Sequence, residues 1–203
     1  MSRGATARLF VAVDPPASVR EELAVWARDA ALRSGLQLPA GAGRPLRLLE
    51  PEALHLTLSF LGSRPVGEIE AIGSAIGACA AQVGELSVGA PLWLPPRRPR
   101  ALAVEIHDEA GGLARLHEAV TGAIAAATGW EPERRRFRAH ITVARMRAGA
   151  AADRRSSRGE SLLPATPQRC FTPTSVVLYR SWLSPAGAAY EALAACDLIP
   201  ADR

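Results

Sequence analysis

Two short segments that share the pattern His-x-Thr constrain the fold of this chain more than any other feature. The first lies in residues 55–62, HLTLSFLG, and the second in residues 140–145, HITVAR. In both, polar and apolar residues alternate with a period of two, which predicts a β-strand with one apolar face. The histidine and threonine of each unit then share the other face, because residues i and i+2 of a strand point the same way. The histidines are 85 residues apart (140 − 55), so the pattern predicts two halves of the chain that face each other across a cleft.

The two units carry the groups that acid–base chemistry on a phosphate requires. One neutral imidazole can take a proton from water, and one protonated imidazole can give a proton to a leaving oxygen. Histidine suits both roles, because its unperturbed pKa of about 6.5 lets both forms exist near neutral pH. The hydroxyls of Thr57 and Thr142 can donate hydrogen bonds to anionic oxygens. The pattern therefore indicates a site for a small tetrahedral anion, although a lone histidine on a strand is more often a half-buried structural residue.

The chain resembles the two-histidine phosphoesterases, and within them the RNA 2′,3′-cyclic phosphodiesterases, also called 2′-5′ RNA ligases. Four segments carry the resemblance in the family's order, and together they span nearly the whole chain: residues 8–13, 51–62, 137–145 and 178–191. The resemblance implies an α+β fold of two pseudo-twofold-related lobes, each with an antiparallel sheet and helices, and an active cleft between the lobes. We expect residues 1–203 to form one such bilobal domain.

The resemblance also implies a reaction and a set of site residues. The reaction is metal-independent hydrolysis of a terminal 2′,3′-cyclic phosphate on RNA to a 2′-phosphomonoester, and its reverse geometry would join ends through a 2′-5′ linkage. His55 and His140 are the catalytic pair, and the sequence does not decide which is the base. Thr57 and Thr142 bind the non-bridging oxygens. Arg145, the arginine of the family's H-x-T-x-x-R pattern, lies close to the bound phosphate or nucleotide.

The two arginines that flank the second unit are predicted to point to opposite faces of the strand. Arg138 lies two residues before His140, so it shares the face of that histidine and is a candidate for substrate binding. Arg145 has the opposite parity, and we expect it to reach the site because a strand end can twist.

Two residues of the first half, Phe10 and Ser59, lie in predicted strands where they could contribute to the site. Phe10 belongs to a predicted strand over residues 8–14 and is either a core residue or a wall of the cleft on which a base could stack. Ser59 shares the His55 face by parity, at a position where relatives often carry a lysine. This difference predicts weaker local charge and affects substrate affinity more than chemistry.

The remaining histidines and the cysteines are assigned no chemistry. His107 and His117 are ten residues apart, which fits no compact metal site, and we expect both to be structural. Cys79, Cys170 and Cys196 form no close pair in the sequence, which argues against a disulfide framework or a cysteine-based zinc site. We expect neither a metal nor a cofactor.

The composition is that of a globular protein with a sizeable core. The 203 residues are 48% hydrophobic and 22% charged, and no apolar stretch is long enough for a signal peptide or a membrane span. All 24 basic residues are arginines and the formal charge is +4, which is compatible with a nucleic-acid substrate. We expect a cytoplasmic monomer that acts on RNA or an oligonucleotide, with no membrane partner.

Three alternatives remain open at this point. The enzyme could act on a small cyclic nucleotide or a nucleotide-sugar cyclic phosphate. The chain could instead be a non-catalytic RNA-binding module that uses its arginine-rich loops. A two-histidine metal site is the third alternative, but no acidic residue lies within the motifs to supply a third ligand.

The apolar periodicity predicts three helices and a series of strands. The helices are expected over residues 18–34, 66–82 and 110–128, the first opened by a Ser18–Glu21 capping box and the third ended by Gly129. The further strands are expected over residues 46–49, 85–93, 101–106, 176–182 and 190–196. Residues 39–45 and 147–168 are predicted loops, and the second contains Arg154, Arg155 and Arg158.

Overall fold

The structure, a computed structural model, describes residues 5–33, 46–79, 82–96, 98–146, 163–184 and 187–200. The predicted loop over residues 39–45 lies outside these ranges, as does the part of the second predicted loop that holds its three arginines. The helices are α1 (Ala17–Arg33), α2 (Ile69–Gly77) and α3 (Gly112–Thr128). The strands are β1 (Thr6–Asp14), β2 (Leu46–Leu48), β3 (Leu56–Pro65), β4 (Gln82–Val83), β5 (Leu86–Leu94), β6 (Ala101–His107), β7 (His140–Met146), β8 (Cys170–Phe171), β9 (Ser175–Ser184), β10 (Gly187–Asp197) and β11 (Ile199–Pro200).

The predicted α+β class is confirmed, with differences at the helix ends and three short strands, β4, β8 and β11, that the sequence did not predict. The carbonyl of Pro16 accepts the first backbone hydrogen bonds of α1, from Val19 at 3.0 Å and Arg20 at 3.2 Å. Ser18 therefore lies inside the first turn, and the predicted capping box is wrong. The second predicted helix is shorter than expected at both ends, because a 3₁₀ turn (Val66–Glu68) precedes α2 and α2 ends at Gly77. The third helix ends as predicted, with Gly129 in the left-handed region at φ 64°.

Nine of the described strands form one large antiparallel sheet, in which the two halves of the chain meet, and β4 and β11 form a separate parallel pair. The strand order is β10-β9-β1-β3-β7-β6-β5-β8, with β2 paired to β7 beside this path. The first four strands of this order hold one His-x-Thr unit and the last four hold the other. The halves join where Leu56 of β3 pairs with Ile141 of β7. Each unit thus lies at the inner edge of its own half.

One face of the sheet packs on the helices and forms the core. Leu56 and Ile141 are fully buried, as the period-two pattern predicts for the apolar side of both motifs. The same cluster includes apolar residues of all three helices: Leu23, Trp26, Ile72, Ile76, Leu116 and Val120. The opposite face carries His55, Thr57, His140 and Thr142, and is called the histidine face below. Among the described residues, no helix has the length and hydropathy needed to cross a membrane.

Candidate active site

The pairing of Leu56 with Ile141 brings the two His-x-Thr units side by side on the histidine face. Continued by one residue in each direction, this antiparallel register sets each histidine opposite the threonine of the other unit. Directly opposed residues have Cβ atoms about 4.5–5.5 Å apart, and diagonal neighbours about 7–8 Å apart. The two histidines are therefore diagonal neighbours, and the threonine hydroxyl of the other unit lies opposite each of them.

Each imidazole is held by a backbone carbonyl two residues before it. Nδ1 of His140 lies 2.7 Å from the carbonyl oxygen of Arg138, and His55 makes the equivalent hydrogen bond to the backbone of Ala53. A carbonyl oxygen can only accept, so the bonded ring nitrogen carries the proton. The other ring nitrogen of each histidine remains for acid–base chemistry, and the carbonyl sets the orientation of the ring.

Both imidazoles are held neutral by their surroundings. Burial lowers the pKa of His55 to about 4, against the opposing hydrogen bond to Ala53 and with added repulsion from Arg145 and His140. Burial also lowers the pKa of His140; its carbonyl hydrogen bond opposes this shift, and the charges of Arg138 and Arg145 add to it. Because the same guanidinium acts on both rings, Arg145 and the two histidines form one electrostatic cluster.

A β-bulge explains how Arg145 reaches the histidine face. Thr142 and Ala144 pair with consecutive residues of β6, so Val143 is an extra residue in β7. An extra residue reverses the alternation of side chains that follow it. Arg145 therefore shares the face of His140, although simple alternation would place it on the opposite face. The bulge places the guanidinium there, where the sequence suggested a twisted strand end.

A second bulge lies at the equivalent place in β3. Thr57 and Ser59 pair with consecutive residues of β1, so Leu58 is the extra residue. Ser59 consequently points away from the histidine face and is only 9% exposed. The prediction that Ser59 shares the His55 face is wrong, because simple alternation does not survive the bulge. Phe60, paired with Phe10, takes that face instead.

Aromatic rings surround His55. The ring of Phe10 lies 4.8 Å from the imidazole, centroid to centroid, and the ring of Tyr190 lies 5.1 Å away at a right angle. Tyr179 stacks on Phe10 at 5.2 Å. Phe10 lies on the histidine face and outside the main core cluster, and because it is only 3% exposed, little of its ring is open for a base to stack on. These rings account for much of the burial that lowers the pKa of His55.

A half-buried polar pair, Tyr179 and Asp14, lies beside this cluster. The hydroxyl of Tyr179 donates to Oδ2 of Asp14 at 2.6 Å. Burial raises the pKa of Asp14, while the Tyr179 hydrogen bond and the charge of Arg20 act in the opposite direction. Burial and the Asp14 carboxylate both raise the pKa of Tyr179, so the phenol stays protonated. The sequence does not single out Tyr179, Tyr190 or Asp14, because the rings reach His55, and Asp14 reaches Tyr179, only through the pairing of β1 with β9 and of β9 with β10.

Arg138 lies beside His140, with its charge already paired. Its Nη2 lies 3.0 Å from Oε1 of Glu105, and its Nε lies 3.2 Å from the same oxygen. The contact it makes with His140 is through its backbone carbonyl. The backbone carbonyl of Arg138 thus orients the His140 ring, whereas the sequence suggested a role for its guanidinium in substrate binding.

The other two histidines lie apart from this cluster. His117 stacks on Phe137 at 4.5 Å, and burial lowers its pKa. His107 is exposed at the end of β6. Within the described ranges, no three His, Cys, Asp or Glu side chains come close enough together to hold a metal ion.

Three curated relatives are 30% to 32% identical to this chain over the segments that align. An RNA 2′,3′-cyclic phosphodiesterase of Escherichia coli K12 is 31% identical over 139 residues, which cover 68% of this chain and 71% of that protein. A protein of the same name from Archaeoglobus fulgidus is 30% identical over 141 residues, 69% of this chain and 73% of the relative. A third, from Aeropyrum pernix, is 32% identical over 111 residues, 53% of this chain and 61% of the relative's length. No protein-family model matches the chain.

Solved structures share the fold over almost the whole chain. Escherichia coli LigT complexed with 3′-AMP superposes with a TM-score of 0.71 at 24% identity, covering 96% of this chain and 99% of LigT. A protein from Thermus thermophilus superposes with a TM-score of 0.70 at 26% identity, covering 94% and 97% of the two chains. The likeness therefore extends well beyond the segments that hold the two motifs.

Proposed function

This chain belongs to the two-histidine phosphoesterases of the RNA 2′,3′-cyclic phosphodiesterase family, and we propose that it hydrolyses terminal 2′,3′-cyclic phosphates on RNA to 2′-phosphomonoesters. The observation that carries the proposal is the matched pair of imidazoles, each oriented by a carbonyl two residues earlier and both next to Arg145. We propose that residues 1–203 act as one bilobal unit and as a monomer. The cytoplasmic location stays a prediction from the sequence.

The proposed reaction needs one proton acceptor and one proton donor on opposite sides of phosphorus. One neutral histidine takes a proton from water as the water oxygen bonds to phosphorus. The other histidine, as imidazolium, gives a proton to the ribose 3′ oxygen as its bond to phosphorus breaks, which leaves the phosphate on the 2′ oxygen. The lowered pKa values of both rings keep the base neutral at pH 7. Binding of the anionic phosphodiester opposes that lowering and favours protonation of the partner.

The remaining polar groups of the cluster suit the charge that develops on the phosphoryl oxygens. Thr57 and Thr142 present hydroxyl donors from positions beside the histidines. Arg145 presents a guanidinium, which binds phosphate oxygens through a planar pair of donors. Donors already aimed at the non-bridging oxygens stabilise the crowded, more negative transition state. This arrangement supplies acid, base and charge stabilisation without a metal.

The test is hydrolysis of an oligoribonucleotide that ends in a 2′,3′-cyclic phosphate. We expect His55→Ala and His140→Ala each to lower kcat by about 10²- to 10⁴-fold, the usual contribution of one proton-transfer group. His107→Ala is the matched control, because that imidazole lies outside the cluster. We expect EDTA to leave the rate unchanged. Loss of activity on chelation, with recovery on adding zinc, would overturn the metal-free reaction.

A smaller substrate is the second candidate. LigT has been crystallised with phosphate, 3′-AMP, ATP and NADP⁺, and a cyclic mononucleotide presents the same reactive group as an RNA end. Comparison of kcat/KM for cyclic mononucleotides and cyclic-ended oligoribonucleotides distinguishes the two. Incubation with RNA ends that carry a 5′-hydroxyl tests whether the reverse reaction forms a 2′-5′ linkage. A chain that binds RNA but turns over neither substrate would instead be an RNA-binding module.

A further inference from the structure

Each half of the chain has a β-bulge directly after its His-x-Thr unit, and the two bulges bring different side chains onto the histidine face. The bulged residues Leu58 and Val143 are 85 residues apart (143 − 58), the same separation as the two histidines. The residue after each bulge is turned away from the histidine face. The next residue is turned onto it, and this residue is Phe60 in the first half and Arg145 in the second. Bulges occur next to active sites, where they aim a side chain that simple alternation would direct elsewhere.

Phe60 remains half exposed on this face. Its side chain is 50% exposed, and its ring lies 6.1 Å from the ring of Phe10, which in turn lies 4.8 Å from His55. Among the described residues, the other large hydrophobic side chains with comparable exposure lie elsewhere. They are Val25 and Leu32 on α1, Val66 in the turn before α2, and Trp182 on the opposite face of β9. The exposed ring of Phe60 is therefore separated from the His55 imidazole of the proposed active site by a single ring, that of Phe10.

We propose that Phe60 is the platform on which a nucleobase of the RNA end stacks, while Arg145 contacts the phosphate. The proposal rests on the proposed function, since it names where the base of that substrate lies. An aromatic ring stacks on any nucleobase and offers no hydrogen bonds to distinguish one from another. The site then takes RNA ends of any sequence and favours a nucleotide over a cyclic phosphate that lacks a base.

The experiment compares two substrates with the same reactive group. One is a cyclic-ended oligoribonucleotide, and the other is glycerol 1,2-cyclic phosphate, which has no base. We expect Phe60→Ala to lower kcat/KM for the oligoribonucleotide by roughly 5- to 150-fold, the usual effect of removing a stacked ring. For the base-free substrate we expect no change. Phe60→Tyr, which keeps the ring, should retain the wild-type preference, and all four terminal bases should give similar values.

Trp182→Leu is the matched control, since it removes a similarly exposed aromatic side chain from the other face of the sheet. It should leave both substrates unaffected. Equal losses on both substrates in Phe60→Ala would overturn the proposal, because the ring would then only support the histidine cluster. An unchanged value for the oligoribonucleotide would overturn it as well, because the base would then bind elsewhere.

Equilibrium binding separates this proposal from the proposed reaction. Calorimetric titration with 3′-AMP and with inorganic phosphate needs no turnover. We expect Phe60→Ala to weaken 3′-AMP binding and to leave phosphate binding unchanged, even if the wild-type protein proves inactive on cyclic ends. Equal affinity of the wild type and Phe60→Ala for 3′-AMP would count against the stacking platform, whatever reaction the histidines perform.

Discussion

The burial of His55 makes a measurable contribution to the pH dependence of stability. The pKa of His55 is about 4 in the folded protein and about 6.5 in an unfolded chain. Between these values the unfolded chain binds a proton that the folded protein does not bind. The free energy of unfolding therefore decreases as the pH falls from 6.5 towards 4, by at most about 1.4 kcal/mol per pH unit. Above pH 6.5 this contribution disappears, because neither state binds the proton.

The change His55→Gln removes this titration and keeps a polar side chain at the site. With the two pKa values above, the His55 contribution to the loss of stability between pH 7 and pH 5 is about 2 kcal/mol. The amide of glutamine does not titrate, and it can still donate a hydrogen bond to the Ala53 carbonyl. We therefore expect the variant to lose about 2 kcal/mol less stability than the wild type over this pH range.

Urea unfolding at pH 7, 6 and 5, at constant ionic strength and followed by tryptophan fluorescence, gives the free energies. His107→Gln is the control, because it replaces an exposed imidazole and should follow the wild type. A nuclear magnetic resonance titration of the His55 ring measures the same pKa directly. If the wild type and His55→Gln lost equal stability between pH 7 and pH 5, the claim that burial disfavours the His55 imidazolium would be refuted.

Three further predictions concern residues around the site and in α3. Arg145→Gln removes a charge that lowers the pKa of both site histidines, so the acidic limb of the kcat/KM profile should move to higher pH; an unmoved limb would contradict this. The same variant should lose about 10- to 150-fold in kcat/KM, the effect of one charged hydrogen bond. Tyr179→Phe leaves the half-buried Asp14 carboxylate without its donor and should cost about 1–3 kcal/mol of unfolding free energy at pH 7, and less as the pH falls and Asp14 takes up a proton. In thermal unfolding, Gly129→Ala should destabilise the protein by about 1 kcal/mol, because Gly129 has a positive φ. Gly122→Ala is the control: Gly122 lies inside α3 with open space at its Cβ position, so this change should stabilise the protein by up to about 1 kcal/mol. Equal effects of the two changes would contradict the left-handed conformation of Gly129.

Local sequence patterns were enough to predict the longer strands and the buried side of each motif. The alternation in the two His-x-Thr segments predicts Leu56 and Ile141 in the core, and both are fully buried. The helical periodicity of residues 110–128 and the glycine at position 129 likewise predict α3 and its end. These features follow from local chemistry, because side-chain periodicity and the conformational freedom of glycine act over a few residues.

Which side chains share the histidine face beyond the motifs depends on strand pairing between distant parts of the chain. Whether a strand contains a bulge depends on its partner strand, and the partners of β3 and β7 are distant in the chain. Each bulge reverses the alternation that follows it. For this reason simple alternation places Ser59 on the histidine face, where the structure has Phe60, and places Arg145 on the opposite face, although the structure has it beside His140.

The environment of His55 is likewise a product of long-range pairing. Phe10, Tyr179 and Tyr190 come from three strands, two of them more than 120 residues after His55 in the chain. Their rings meet around one imidazole because β1 pairs with β3 and β9, and β9 pairs with β10. A sequence shows that a histidine can titrate near neutral pH. The burial that lowers its pKa to about 4 depends on which rings exclude water from it, and strand order in the folded sheet decides that.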